Sequence, residues 1–326
     1  MQSAFMHLLM HELSGGAETY STAHNILSFL FFRSGLLQRS KNVKLDGAWN
    51  WSHIKTDLAL WFDDNAWMAT LMLKIADHHP ELEREFALKE WGLKLVRLLA
   101  GAFPRYFAEK NSDEGGFRWQ GELRQPHWGS LVCQALAAGL AHSPVREWCE
   151  IIDGYHRFLL EAPGSFTPSD CAYALLGATA SFAARHDDLS GKTARTFADE
   201  LVSQMDRSTG NLPSRHCETL CGEHLTDTIY TMNWATLAMQ NMRRIDPKYT
   251  DASEKMLSLL LRIQETAPEP WLHGCWRGLY DLESGTWGGG DRFEGGAASI
   301  YTGWTNAPIS IAFLLAREGR CLVDLL

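Results

Sequence analysis

The apolar positions along the chain fall into two kinds of helical segment. In the first kind apolar and small residues run nearly all round: "TAHNILSFLFF" (22–32), "NAWMATLMLKIA" (65–76), "WGSLVCQALAAGLA" (128–141), "DCAYALLGATASFAA" (170–184), "TMNWATLAMQNM" (231–242) and "NAPISIAFLLA" (306–316). A helix without a polar stripe is buried on every side, and Ala, Gly and Ser let neighbours approach closely. The second kind is amphipathic: residues 81–103, 145–162, 191–205 and 251–265. In the first of these Leu88, Trp91, Leu95, Leu98 and Ala102 recur at steps of three and four, with Glu83, Glu85, Lys89 and Lys94 largely outside the stripe. Residues 3–13 suggest a fifth amphipathic segment, and 36–60 carry no clear helical signal.

Buried helices alternating with amphipathic ones predict an all-α fold, an (α/α)6 toroid of six helical hairpins, in a single catalytic domain spanning 1–326. An irregular helical bundle or an α-solenoid would share the pattern. Strand-like alternation is scarce; within a long loop near 275–296, "LESGTW" (282–287) reads as a short β-hairpin.

The segments before the apolar helices share a character: "GGAETYSTAH" (15–24), "LWFDDNAW" (60–67), "GGFRWQGELRQPHWG" (115–129), "GSFTPSD" (164–170), "HLTDTIYTMNW" (224–234) and "GGAASIYTGWTN" (295–306). In a hairpin ring the inner helices run parallel, so these loops collect at one rim with helix N-termini pointing at it. The chain holds 13 Trp in 326 residues, and Trp61, Trp67, Trp119, Trp128, Trp234, Trp276, Trp287 and Trp304 lie in or beside such loops. Sugars suit that composition: their faces stack on indole and phenol rings while Asp, Asn, His and Tyr bind the hydroxyls. Aromatic residues plugging the end of the ring would leave the same signature. The expected polar contacts are Asn65, His127, Asp170, Asp227, Asn233, Tyr301 and Asn306, beside platforms at Trp61, Trp67, Trp119, Trp128, Trp234 and Trp304.

Charge and cysteine content narrow the class. A net charge of −9 argues against a protein that tracks phosphate backbones. Seven cysteines without regular spacing form no disulfide framework. No apolar run approaches the ~20 residues that span a bilayer, and the first residues make a poor signal peptide. A cytoplasmic location is expected in this form, or a secreted or periplasmic one if a leader was removed.

Asp63 and Asp64 stand side by side at a predicted loop-to-helix junction. Asp64 is a natural N-cap and Asp63 could be solvated. Alternatively the pair is catalytic, since glycoside hydrolysis uses one carboxyl as acid and another as nucleophile or base. If neighbouring side chains diverge too far, Glu18, Asp170, Asp227, Asp291 or Glu294 could supply the second. "WFDDNAWMATLMLKIAD" (61–77), followed by "EGGFRWQGE" (114–122) and "GSLVCQALAAGLA" (129–141), resembles glycoside hydrolase family 76, α-1,6-mannanases on an (α/α)6 toroid with a DDNAW-like motif. That resemblance covers mainly residues 58–141. It implies that Asp63 and Asp64 are the paired catalytic aspartates of a retaining mechanism. The segment "RFEGGAASIYTGWTNAPIS" (292–310) departs from that family and is similar to other six-hairpin carbohydrate enzymes, including unsaturated uronyl hydrolases, which draw Asp residues from different loops.

In "RHCETLCGEHLTD" (215–227), His216, Cys217, Cys221 and His224 offer soft ligands. "CETLC" is faintly similar to the Glu-Thr-Cys motif of zinc-bearing β-L-arabinofuranosidases, but their adjacent cysteine pair has no counterpart, so no metal and no cofactor is expected. "GTWGGGDRFEGG" (285–296) lacks the ending of a phosphate loop and reads as a lid or a plain surface loop. The expected function is a carbohydrate-active enzyme, a glycoside hydrolase acting on an oligo- or polysaccharide. The alternatives are a sugar 2-epimerase or polysaccharide lyase, with His24, His127, Tyr173, Tyr230 or Tyr301 moving protons, and a non-catalytic sugar-binding protein.

Overall fold

A computed structural model describes residues 1–54, 57–109, 116–162, 166–293 and 299–325. The chain divides into two compact units, Met1–Ala162 with Ala180–Gly191 and Leu325–Leu326, and Pro163–Thr179 with Lys192–Asp324. We call them the N-terminal and C-terminal units.

The N-terminal unit holds α1 (Gln2–Ser14), α2 (Ala17–Ser28), β1 (Leu60–Trp61), α3 (Phe62–His78), α4 (Pro80–Phe86), α5 (Leu88–Ala108), β2 (Trp119–Gln120), α6 (Pro126–Leu140) and α7 (Arg146–Glu161). Helix α3 packs against α5 and α6, and α6 against α7. The all-round apolar segments 65–76 and 128–141 are buried as their composition predicts. Close approach is built in at Gly92 of α5, where an added Cβ would lie 3.0 Å from Leu73 of α3.

Several expectations change. Segment 22–32 is helical but not enclosed: within α2 only Ala23 and Leu27 are buried, and Phe32 in the π-turn that follows is 60% exposed. The amphipathic segment 81–103 is two helices, because Ala87 adopts the left-handed region at φ +52°. Glu83 closes both ends of the break: its carbonyl accepts the Ala87 N–H at 2.8 Å and its carboxylate the Lys89 N–H at 2.7 Å. The buried stripe of α5 is rotated from the expected one and runs through Leu88, Gly92, Leu95, Leu99, Ala102 and Tyr106, while Trp91 stays half-buried under the cations of Arg39 and Lys94. Residues 36–54 form a looped segment around the Leu37–Trp49 bridge, so among the described residues no outer helix stands between α2 and α3.

Helix α8 (Pro168–Arg185) and α9 (Asp188–Gln204) begin or end in one unit and continue in the other. The C-terminal unit further holds β3 (Pro213–Ser214), β4 (Gly222–Asp227), α10 (Met232–Ile245), α11 (Thr250–Arg262), β5 (Leu279–Asp281), β6 (Thr286–Trp287) and α12 (Ala307–Arg317). Helix α10 packs on α11 and α12. The expected hairpin is present: Tyr280 pairs with Trp287 and Asp281 with Thr286 around a turn closed by Gly285 at φ +69°. It extends an antiparallel sheet of order β3-β4-β5-β6, which the chain's periodicity does not announce. Among the described residues no helix is long and apolar enough to cross a membrane.

Ala87 gives a direct stability test. Replacing it with Gly removes a left-handed penalty of roughly 1–2 kcal/mol and adds unfolded-state entropy worth about 0.4–1 kcal/mol. Ala87→Gly should therefore stabilise the chain by about 0.5–1 kcal/mol, read as a higher urea midpoint at unchanged slope.

Candidate active site

In the N-terminal unit the two loops that lead into α3 and α6 are zipped together. Strands β1 and β2 pair in parallel, Leu60 with Trp119 and Trp61 with Gln120. Each strand then enters a helix, so Asp63 is the second residue of α3 and His127 the second residue of α6. The side chains meet: His127 Nε2 lies 3.0 Å from Asp63 Oδ2, with only 6% and 10% of the two side chains exposed. Both sit at helix N-termini, where the backbone dipoles favour negative charge. Asp63 Oδ1 is buried and accepts no hydrogen bond among the described residues.

The His127 ring stacks on Trp128, with centroids 4.6 Å apart and planes at 11°, and Trp128 in turn lies 6.4 Å from Trp61 at 24°. Trp61 and Trp128 are half-buried, so each keeps some accessible surface. The Trp128 ring is seated on Gly121, where an added Cβ would approach it to 2.5 Å.

The cap reading of Asp64 is corrected. Helix α3 starts at Phe62 with Trp61 as its N-cap, so both aspartates lie inside the first turn. At 3.6 residues per turn, successive side chains diverge by about 100°. Asp63 points to His127, and Asp64 is half-buried.

The other expected contacts of this unit touch protein. Asn65 is fully buried; its Oδ1 accepts the Trp49 N–H at 2.8 Å, and its Nδ2 donates to the carbonyls of Trp49 at 3.0 Å and Trp61 at 2.9 Å. Trp67 and Trp119 are core residues, 4% and 3% exposed, and Trp119 stacks on Phe62 at 5.0 Å. Glu18, in the first turn of α2, is exposed.

In the C-terminal unit most expected contacts hold helix starts. Thr167 and Asp170 form a capping box: Asp170 Oδ2 accepts from Thr167 N and Oγ1, and the Asp170 N–H donates to Thr167 Oγ1. Asp227 is wholly buried; its Oδ1 accepts the N–H groups of Ile229 at 2.9 Å and Tyr230 at 3.0 Å, and its Oδ2 the Thr231 hydroxyl at 2.8 Å. Asn306 repeats the clamp of Asn65: it accepts the Trp276 N–H at 2.9 Å and donates to the Trp276 carbonyl at 2.8 Å. Asn233 donates to the carbonyls of Ile229 and Trp304, both at 2.7 Å, so the loops before α10 and α12 are tied together. Ser169 ties the start of α8 to the same place through the Tyr230 carbonyl at 2.7 Å. Trp234 is fully buried and donates to the Ile229 carbonyl, whereas Trp304, in T-shaped contact with it at 5.0 Å, is half-buried.

A second cluster gathers residues that the sequence left scattered. Asp291 Oδ2 accepts the Tyr230 hydroxyl at 2.6 Å, its Oδ1 accepts the Phe293 N–H at 2.7 Å, and its own N–H donates to Tyr301 Oη at 3.0 Å. The Tyr230 ring stacks on His216 at 4.0 Å. Burial and the Asp291 carboxylate push the Tyr230 phenol far above its usual range. Asp291 had a signal only as one spare carboxylate among several; Glu294 lies outside the described residues. His216 Nδ1 accepts the Glu218 N–H at 3.2 Å, His224 pairs with Glu283 at 3.1 Å, and Cys217 and Cys221 are exposed. Among the described residues no three His, Cys, Asp or Glu side chains are grouped to hold a metal. The described part of the glycine-rich segment is anchored by Gly288 N–H to Leu279 O at 3.0 Å and Arg292 N–H to Glu218 O at 2.8 Å.

No protein-family model matches the chain, and no curated protein matches it. Solved structures do. The chain is similar to the unsaturated glucuronyl hydrolase from Bacillus sp. GL1, responsible for the degradation of glycosaminoglycan, at 14% identity and TM-score 0.63, covering 97% of this chain and 85% of that one. It is similar to a D-mannose isomerase at 11% identity and TM-score 0.62, covering 97% and 86%. It is also similar to the family 76 α-1,6-mannanase of Salegentibacter sp. HEL1_6, at 12% identity and TM-score 0.52, covering 72% and 69%. That enzyme was solved as an inactive variant, two successive aspartates changed to asparagine, in complex with α-1,6-mannotriose. These are six-hairpin toroid enzymes, and the chain has their (α/α)6 fold.

Asp227 makes stability depend on pH. Burial raises its pKa to about 6 against the pull of its three hydrogen bonds. Its folded pKa thus exceeds the unfolded value of about 3.9, so the folded chain binds the proton more tightly and loses stability as pH rises from ~4 to ~6, by about 3 kcal/mol in all. Asp227→Asn removes this term. The variant's unfolding free energy, relative to wild type, should climb by about 3 kcal/mol between pH 4 and 7; a difference that stays flat would refute the assignment.

Proposed function

We propose that the protein is a carbohydrate-active enzyme, a glycoside hydrolase acting on an oligosaccharide or polysaccharide, with residues 1–326 as one catalytic domain. The observation that carries the reading is the Asp63–His127 pair: a nearly buried carboxylate at a helix start, held by an imidazole, beside the stacked and partly accessible Trp128 and Trp61. Asp63 keeps one buried oxygen that accepts no hydrogen bond among the described residues, which suits a group that must address a glycosidic bond. Asp64 is proposed as the second carboxyl. The inactive mannanase variant, changed at two successive aspartates, supports giving the adjacent pair that role. Trp61 and Trp128 are the proposed sugar platforms beside the pair; in the C-terminal unit, taken by itself, Trp304 and Tyr301 are proposed sugar contacts. The likeness to sugar enzymes through 97% of the chain supports the single-domain reading.

A second reading has its own support. An imidazole 3.0 Å from a carboxylate is also a proton-transfer pair, as an isomerase or epimerase requires, and a D-mannose isomerase is among the similar structures.

Asp63→Asn and Asp64→Asn, assayed on mannan, uronate-containing and other oligosaccharides, should each lower turnover on the order of 10²–10⁴-fold. Full activity in both variants would remove the pair from the mechanism, and a fall in one alone would call for a partner carboxyl elsewhere. New reducing ends identify hydrolysis. An isomer at constant mass, lost in His127→Gln, identifies the second reading.

A further inference from the structure

We propose that the N-terminal unit holds a buried water site in the seam between α3 and α6, bound by Thr70, Ser130 and Gln134. All three residues are at most 2% exposed. Thr70 Oγ1, Ser130 Oγ and both amide atoms of Gln134 have no hydrogen-bond partner among the described residues. The chain satisfies similar groups elsewhere. Thr179 and Thr236, equally buried in helices, donate to carbonyls one turn back at 2.8 and 2.7 Å, and Gln240 donates to the Ala312 carbonyl at 2.9 Å. Buried polar groups are costly to leave unpaired, and a cluster of them marks a ligand of matching polarity.

The helix register brings the three together. The parallel strands β1 and β2 start α3 and α6 side by side and pointing the same way. Asp63 meets His127 at 3.0 Å near the helix starts, and Asp77 meets His142 at 3.2 Å near the far ends. Contacts at both ends keep the helices aligned along their length. Seven residues advance a helix by about 10 Å and return to within ~20° of the same face. Thr70 stands seven residues beyond Asp63 and seven before Asp77, and Gln134 stands seven beyond His127. They therefore sit at one height on the faces that carry both pairs, with Ser130 about one turn before Gln134. Small residues leave room there: Ala66, one turn before Thr70, and Ala138, one turn after Gln134, are both buried.

The chemistry selects water. Gln134 Nε2 needs acceptors and Gln134 Oε1 needs donors, while the hydroxyls of Thr70 and Ser130 serve as either. A water molecule both donates and accepts, and in a buried site it typically makes about three such bonds. A cation would take the oxygens but leave the amide N–H groups facing a positive charge. An apolar ligand would satisfy none of them. A water shared across the seam ties α3 to α6 in the register that carries Asp63 to His127, and that tie holds whether or not the pair is catalytic.

The test begins with a crystal structure of the full chain at a resolution that shows ordered water. A solvent peak within about 3.2 Å of the Gln134 amide and of Thr70 Oγ1 or Ser130 Oγ is expected. Direct bonds among these groups, with no peak between them, would overturn the site. Urea unfolding of Thr70→Val, Gln134→Met and the double variant gives an independent readout. Each single change should raise the unfolding equilibrium constant about 5-fold, since the water loses one partner. The double change expels the water, so its rise should fall short of the product of the single rises by about 5-fold. Single changes that stabilise the chain would show a dry seam, and rises that simply multiply would show that no ligand is shared; either result overturns the proposal. Wild-type stability that increases in sodium chloride over choline chloride at equal ionic strength, with no such increase in the double variant, would assign the site to a cation instead.

Discussion

The structure depends on a side-chain amide standing in for a strand. Asn65 in the first turn of α3 takes both backbone groups of Trp49, as a neighbouring strand would, and also the Trp61 carbonyl. Each buried backbone group left unpaired costs about 1–3 kcal/mol, so one side chain fixes the loop of residues 36–50 against the start of the helix. Asn306 does the same for Trp276 in front of α12, and Asn233 joins the loops before α10 and α12. The asparagine of "DDNAW" is therefore a framework residue. Its chemical consequence is indirect: it sets the turn that carries Asp63.

Two buried carboxylates show how similar residues acquire different roles. Asp227 is saturated by two N–H groups and a hydroxyl, and its burial makes it a stability element that answers to pH. Asp63 has an imidazole beside one oxygen, and its other oxygen accepts no hydrogen bond among the described residues. A saturated carboxylate organises a turn, whereas Asp63 keeps hydrogen-bonding capacity that the turn does not use. Asp170 belongs with Asp227, since its capping box uses the carboxylate to begin α8.

The tryptophans divide in the same way. Trp67, Trp119 and Trp234 are core residues that brace the helix starts, while Trp61, Trp128 and Trp304 keep part of their surface accessible. Bracing and display cooperate: Trp119 stacks on Phe62, directly before Asp63, and its strand pairs with that of Trp61. The aromatic richness of these loops thus supplies a rigid frame as well as partly accessible rings.

What the sequence by itself determined is local and periodic: the buried helices α3, α6, α8, α10 and α12, the amphipathic α7, α9 and α11, the hairpin turn at 282–287, and an acidic pair at a helix start. Those features follow from neighbours a few residues apart, which is the range over which periodicity carries information. The break at Ala87, the openness of α2 and the β3–β6 sheet were settled by contacts the pattern does not encode. So was the site. Asp63 meets His127 only because β1 and β2 align, Asp291 meets Tyr230 across a long stretch of chain, and each tryptophan's exposure is fixed by what packs over it. Desolvation and pairing depend on every group nearby in space, and tertiary structure alone decides which groups those are.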